Sequence, residues 1–158
     1  MGGHAAGVDY GLRRVAIAVP SAGILVDVDR AVRGKPCDAL DALEVLADTY
    51  CNAVIRTRVE LVAIEAPIVG MSRNVRTGLQ LGMVAGALSS AALRTGSKVI
   101  IVEPSTWKKA IVGNGNANKD DVSDYLARKH PRLHERTATQ DAIDATCLAL
   151  YAMERLVA

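Results

Sequence analysis

Three strand-like segments follow one another at the start of the chain, with only short connections between them. Mainly apolar residues occupy 5–10, alternate through 15–19 and return in 24–28, while turn residues separate these segments at 11–14 and 20–23. Consecutive strands with short connections generally lie side by side in a sheet. The segment therefore predicts an antiparallel meander of three strands.

The middle of the chain alternates helical and strand patterns. After Asp38, a candidate helix cap, apolar residues recur at three- and four-residue spacing as far as Val54, and this helix is expected to cover one face of the sheet. The run 61–64 is apolar throughout, as in a strand that is buried on both faces. A long helical pattern, Val75–Arg94, separates it from another apolar strand, Lys98–Val102, and two strands joined in this way run parallel.

The last third of the chain is expected to be mainly helical. The pattern predicts a short helical turn over 104–112, a loop over 113–118, a helix over 120–129 that ends before Pro131, and a final helix that starts at a capping box, Thr137 to Gln140, and runs to Val157. Half of the 158 residues are apolar, which is enough for one core. We therefore predict a single α/β domain over 1–158, in which helices flank a mixed five-stranded sheet made of the meander and two parallel strands.

Composition excludes several classes of function. No stretch reaches the roughly 18 consecutive apolar residues of a membrane span, and the N-terminus lacks the pattern of a signal peptide, so no membrane partner is expected. Aromatic residues make up only 3% of the chain, too few for a row of stacking platforms on single-stranded nucleic acid. Cys37, Cys51 and Cys147 have neither CxxC spacing nor a flanking His pair, which disfavours disulfides and zinc and predicts a cytoplasmic location.

Four acidic residues fall where an α/β sheet places its sites. Asp9 lies within the first strand and Glu65 ends the fourth, so both side chains should project near the carboxyl edge of the sheet. Asp141 and Asp144 are three residues apart in the expected first turn of the last helix, which puts them on one face. Converging carboxylates repel one another unless a cation neutralises them, and a set of oxygen donors alone selects Mg²⁺ or Mn²⁺ over zinc.

Each acidic residue also has an ordinary structural explanation. An Asp in a first strand is more often a turn or cap residue, and an Asp at the start of a helix usually complements the helix dipole. Glu65 is harder to explain in this way, because a charge directly after four apolar strand residues is costly if it is buried without a partner. Taken together, the four acids favour a functional site over these structural explanations.

Five short motifs span nearly the whole chain: Gly7-Val8-Asp9-Tyr10-Gly11, Ala63-Ile64-Glu65, Leu81-Gly82 with Gly86, Trp107-Lys108-Lys109 with Val112-Gly113 and Lys119, and Asp141-Ala142-Ile143-Asp144-Ala145. In this order they resemble the RuvC-type Holliday junction resolvases of bacteria and phages, within the RNase H-like nuclease superfamily. The resemblance implies an RNase H-like fold and a DNA endonuclease that resolves Holliday junctions or related branched DNA by paired symmetric nicks. It also implies that two Mg²⁺ ions, or Mn²⁺ as a substitute, are held by Asp9, Glu65, Asp141 and Asp144.

The loop after the second acid departs from the family pattern. The family commonly offers an aromatic wedge there, which stacks at the crossover of the junction. This chain has Ile68 and Met71, which can make apolar contacts but cannot stack as a ring does. The loop is also longer before Asn74, so the substrate range and the cleavage sequence stay open.

Basic residues surround the proposed site although the net charge of the chain is only +2. Setting four of the 17 acidic residues aside as ligands leaves 13 against 19 basic ones, an excess of +6 that suits a phosphate-binding surface. By the resemblance, Lys119 is expected to stabilise charge on the scissile phosphate. Arg13, Arg14, Lys108 and Lys109 can equally be ordinary solvated charges. The candidate DNA contacts are Arg13, Arg14, Ile68, Met71, Arg73, Asn74, Arg76, Lys108, Lys109 and Lys119.

Glycines recur every four residues along the long helix, at Gly78, Gly82 and Gly86, although each costs about 1 kcal/mol relative to alanine in a helix. Either the helix backbone approaches the sheet closely there, or it packs against a second copy of the chain. The resemblance implies a homodimer through this helix, whose two-fold axis would match the symmetry of a four-way junction. The expected interface residues are Leu79, Gly82, Met83 and Gly86, with Leu88 adding contact area.

Other functions stay open at this point. Residues 8–14 also resemble YqgF-type nucleases, which are associated with RNA processing, although Glu65 and 74–86 fit the RuvC type better. A sugar-kinase-like or actin-like ATPase needs a second phosphate-binding domain, for which 158 residues leave no room. A junction-binding module that does not cut would gain nothing from four acids facing phosphates. A branch-migration helicase is a further candidate partner of a resolvase.

Overall fold

The computed structural model describes residues 3–29, 39–68 and 74–158. The strands of this part of the chain are β1 (His4–Tyr10), β2 (Arg14–Val19), β3 (Ile24–Asp29), β4 (Val59–Glu65) and β5 (Lys98–Val102). Its α-helices are α1 (Ala39–Val54), α2 (Val75–Arg94), α3 (Pro104–Ile111), α4 (Lys119–Lys129), α5 (Pro131–His134) and α6 (Gln140–Leu156).

The five strands form one mixed sheet in the order β3-β2-β1-β4-β5. β1, β2 and β3 pair antiparallel, while β4 runs parallel to both β1 and β5. The first strand of the meander thus becomes the centre of the sheet, because β4 adds to its free edge. The predicted mixed sheet of a meander plus two parallel strands is confirmed.

Most element bounds agree with the sequence pattern. α2 and β5 begin and end at the predicted residues. The predicted cap of α1, Asp38, lies outside the described residues. None of the helices in the described part of the chain is both long and apolar enough to cross a membrane.

The sheet separates two hydrophobic cores. The first core lies between the sheet and helices α1 and α2, and it includes Val8 of β1 and Ile64 of β4. The second core lies beneath α3, α4 and α6. Side chains alternate between the faces of a strand, so Asp9 and Glu65, the next residues along, face the second core. Because Val8 pairs with Ile64 in the parallel register, these two acids end up beside each other.

Helix α6 lies directly against β1 and β2. A Cβ atom at Gly7 would overlap with the carbonyl oxygen of Ala145 and the amide nitrogen of Ala149, so the helix backbone touches the strand there. Ala16 and Ala18 of β2 extend this contact with further small side chains. Small residues on both sides therefore let α6 cross the sheet at close range.

The capping-box prediction at Thr137 is wrong. Helix α6 is capped by Thr139, whose Oγ1 accepts a hydrogen bond from the amide of Ala142, while the Thr137 hydroxyl donates to a carbonyl of α5. The short helix α5, which the sequence pattern did not predict, holds Thr137 in this other role. Asp141 lies in the first turn of α6, whereas Asp144, which was also expected there, lies one turn further along.

We expect Gly7→Ala to lower the free energy of unfolding by about 1–3 kcal/mol, because the added methyl group must displace the backbone of α6. Urea denaturation measures this difference. The control is Asp48→Ala, which introduces the same side chain at an exposed position of α1, where alanine is a good helix former. Equal stability of Gly7→Ala and the parent protein would contradict the backbone contact.

Candidate active site

The four acids expected from the sequence line one cavity at the carboxyl edge of the sheet. β1 supplies Asp9, β4 supplies Glu65, and α6 supplies Asp141 and Asp144 to a cavity of about 450 Å³. Lys119, the first residue of α4, lines the same cavity. The fold thus gathers side chains that are far apart along the chain.

Asp9 is the most deeply buried of these acids, with only 9% of its surface exposed. The backbone amide of Tyr10 donates a hydrogen bond of 2.9 Å to its Oδ1. Burial, followed by the charges of Glu65, Asp144 and Asp141, raises the pKa of Asp9 to about 8. A bound cation would reverse this effect, because it favours the ionised carboxylate.

Glu65 has a fixed hydrogen-bond partner. Its Oε2 accepts from the indole Nε1 of Trp107 at 2.8 Å, and Trp107 itself is fully buried in the second core. Burial raises the pKa of Glu65, the Trp107 hydrogen bond lowers it, and the charge of Asp144 raises it. In the sequence, Trp107 stands out only as part of a basic motif, and nothing there indicates this contact.

The two acids of α6 have different partners. Gln140 donates a hydrogen bond of 2.8 Å to Asp144 from one helical turn earlier, a spacing that is visible in the sequence. Burial raises the pKa of Asp144, and Gln140, followed by the Lys108 charge, opposes this effect. Asp141 instead forms an ion pair of 3.1 Å with Arg14. A predicted DNA contact is therefore paired with a predicted metal ligand.

The donor set suits Mg²⁺ or Mn²⁺. Carboxylate oxygens face the cavity, and neither His nor Cys is among the described residues that line it. No three His, Cys, Asp or Glu side chains within the described ranges are already grouped closely enough to hold one ion. Mg²⁺ is usually bound through only one or two carboxylates, water and substrate phosphates, so the residues present fit this ion without a preassembled cage.

The other predicted DNA contacts lie at different places around the cavity. Arg14 and Ile68 line it, and Ile68 is 48% exposed. Lys108 lies next to the site, with its Nζ 5.6 Å from the centroid of the Trp107 ring. The exposed residues Arg13, Arg76 and Lys109 do not line the cavity, and Met71 and Arg73 lie outside the described residues.

Asn74 has a structural role in addition to its predicted one. Its side-chain oxygen accepts hydrogen bonds from the backbone amides of Arg76 and Thr77, at 2.7 and 3.3 Å, and so caps α2. Further neutral side chains line the cavity, and none of them was predicted as a site residue. They are Tyr10, Leu12, Ala66, Pro67, Thr77, Leu81 and Gln140.

One face of α2 is free of contacts with the sheet. Among the residues that the structure describes, a Cβ atom at Gly82 or Gly86 would meet nothing within 4 Å, which rules out the sheet-contact explanation for these two glycines. Leu79 and Met83 are 68% and 45% exposed beside them. Leu88 was expected to add contact area, but this prediction is wrong because Leu88 points into the first core and is fully buried.

Comparisons with known proteins agree with this geometry. The family model described as crossover junction endodeoxyribonuclease RuvC matches residues 5–152. The protein of that name from Pseudarthrobacter chlorophenolicus is 34% identical over 155 residues, which cover 91% of this chain and 76% of the relative.

Solved structures share the fold. A structure of Thermus thermophilus RuvC, and one of that protein in complex with a Holliday junction substrate, each match with a TM-score of 0.74 at 24% identity. Each match covers 98% of this chain and 96% of the Thermus chain. The yeast mitochondrial Holliday junction resolvase Ydc2 matches with a TM-score of 0.58 at 11% identity, over 98% of this chain and 79% of the yeast chain. The predicted RNase H-like fold is confirmed.

The raised pKa of Asp9 predicts how stability depends on pH. In the unfolded chain Asp9 loses its proton near 3.8, whereas in the folded, metal-free protein it keeps the proton to about pH 8. The folded state therefore binds more protons in this interval, and the stability that Asp9 contributes falls as the pH rises through it. We expect Asp9→Asn, which cannot ionise, to lose less stability than the parent protein between pH 5 and pH 8.

Urea denaturation in EDTA at both pH values measures this effect. Asp48→Asn removes an exposed carboxylate of α1, which lies on the opposite face of the sheet, and is the matched control. The explanation fails if Asp9→Asn and Asp48→Asn show the same change of stability with pH.

Proposed function

The chain belongs to the RuvC family of crossover junction endodeoxyribonucleases, and we propose that it resolves Holliday junctions or related branched DNA as a metal-dependent, structure-selective endonuclease. The observation that carries this proposal is the convergence of Asp9, Glu65, Asp141 and Asp144 on one cavity beside Lys119. Family membership supports the substrate class, and the four acids support the chemistry. We further propose that residues 1–158 form a single nuclease domain.

The four carboxylates are proposed to hold two Mg²⁺ ions, which Mn²⁺ can replace. When bound, such ions would lower the pKa of water and would stabilise negative charge on the leaving 3′ oxygen. Asp9 lies on the central strand, where the charges of all three other acids act on it, and it is our candidate for the ligand that both ions would share. The products should carry 5′ phosphates and be ligatable.

The basic residues around the cavity are proposed to bind phosphates. Lys119 is exposed at the cavity and is the candidate for stabilising charge on the scissile phosphate. Arg14 is 53% exposed and already pairs with an anionic group, so its guanidinium has the reach to meet a phosphate at the same place. Ile68 offers an exposed apolar side chain, suited to contact with bases at an opened crossover.

We expect Glu65→Gln to reduce nicking of a synthetic four-way junction in Mg²⁺ by more than about 100-fold, because it removes one of the proposed ligands. Binding of the junction in EDTA, measured by gel shift, should be equal or tighter since a negative charge is lost. Glu60→Gln lies on the same strand β4 and is the matched control with parental activity.

The same assay separates the alternatives. Parent protein that binds the junction in Mg²⁺ but leaves it uncut would indicate a binding module. Preferential cleavage of an RNA-containing duplex would favour the YqgF-type function instead. Either result would contradict the proposal.

We propose that two copies of the chain pair through the free face of α2. Gly82 and Gly86 leave room for a close helix contact, and the exposed Leu79 and Met83 provide the apolar area around it. A two-fold pair presents two identical cavities, which matches the symmetry of a four-way junction.

We expect Leu79→Glu to convert this dimer into a monomer, because two negative charges would be buried in the interface. Light scattering after size-exclusion chromatography measures the mass in solution. Ile55→Glu changes an equally exposed apolar residue, 73% exposed beyond the end of α1, and should leave the mass unchanged. A parent protein with the mass of one chain would contradict the proposed pairing.

The cellular setting is also a proposal. Cys51 and Cys147 are free thiols, as expected for a protein of the reducing cytoplasm. A branch-migration helicase that delivers junctions is the candidate protein partner.

A further inference from the structure

Trp107 is the only tryptophan of the chain, and it joins the hydrophobic core to the cavity. Its ring is fully buried in the second core. Its single polar atom, Nε1, donates a hydrogen bond of 2.8 Å to Oε2 of Glu65. An indole can only donate, so this contact holds the carboxylate in one orientation relative to a rigid part of the fold.

We propose that Trp107 is a positioning residue that holds Glu65 ready to bind the divalent ion. This inference rests on the function proposed above. A carboxylate has about four acceptor sites, so one hydrogen bond to Oε2 leaves other sites for a metal ion. A hydrogen bond to an ionised carboxylate is stronger than one to a neutral group, so the indole favours the form of Glu65 that binds cations.

The donor is held by the core and not by a loop. Trp107 lies on α3, which begins at Pro104 directly after strand β5, and the ring packs among buried side chains of α4 and α6. A second contact supports its place in the site, because Lys108 lies over the same ring, 5.6 Å from its centroid. Beside the cavity, Trp107 therefore contacts Glu65 through its N–H group and Lys108 through its ring.

A purely structural role would make a different prediction. If Trp107 only fills the core, then any replacement of the same shape should leave metal affinity unchanged. If it positions Glu65, loss of the N–H group alone should weaken metal binding, and this effect should depend on Glu65. Replacement of ligand-orienting groups of this kind typically changes metal affinity about 10–100-fold.

The first experiment removes only the N–H group. Since the chain has one tryptophan, biosynthetic replacement by β-(3-benzothienyl)alanine changes this site alone and keeps the shape of the ring. We expect about 10–100-fold weaker Mn²⁺ binding by calorimetry without DNA. In a Glu65→Ala background the same replacement should change residual Mn²⁺ affinity less than about twofold, because no side-chain acceptor remains for the N–H group. Unchanged affinity in the parent background, or an equal loss in both, would overturn the proposal.

The second experiment needs no substitution of Trp107. Mg²⁺ binding at Glu65 should alter the surroundings of the indole N–H, so its fluorescence emission should shift with the same midpoint as the calorimetric titration. Glu65→Gln should abolish this shift, and Glu60→Gln on the same strand should keep it. An emission that Mg²⁺ does not change at saturation would overturn the proposal.

The two proposals can fail separately. If neither Mg²⁺ nor Mn²⁺ binds the parent protein, even with junction DNA present, the metal-dependent function itself fails. If the ions bind and the junction is cut, but neither the indole emission nor the isosteric replacement responds, only the role of Trp107 fails.

Discussion

The backbone contact between β1 and α6 at Gly7 is the constraint on which the site depends. Asp9 belongs to the strand, while Asp141 and Asp144 belong to the helix, so the three acids share one cavity only if the two elements lie close together. A side chain at Gly7 would overlap with the α6 backbone, and the alanines around it keep the separation small. The small residues at this contact thus determine where the acids of the cavity come together.

This concentration of charge is costly to the folded protein without a cation. Burial and mutual repulsion raise the pKa values of Asp9, Glu65 and Asp144, which means that the protein opposes their ionisation. Each acid has one partner that reduces the cost: the Tyr10 amide for Asp9, Trp107 for Glu65, Gln140 for Asp144 and Arg14 for Asp141. The partners orient the carboxylates but neutralise only one of them, and this imbalance favours the binding of divalent ions.

The two faces of the sheet serve different purposes. The four acids of the cavity, Lys119 and the indole of Trp107 all lie on the side of the second core, where α3, α4 and α6 pack. The first core supports α2, whose outer face presents Leu79 and Met83 to solvent. Helix α2 takes part in both, because Thr77 and Leu81 line the cavity while Leu79 and Met83 lie on its exposed face.

Local patterns in the sequence determined most of the fold and the identity of the four acids. Short connections predicted the meander, continuous apolar runs predicted the parallel strands, and the positions of Asp9 and Glu65 in their strands placed both near the carboxyl edge of the sheet. These inferences succeed because they depend on neighbouring residues. Only the tertiary structure decided which side chains meet across long separations: Trp107 with Glu65, Arg14 with Asp141, and Leu88 with the core. Such pairs depend on the angle and distance at which whole helices pack, and no local periodicity encodes these.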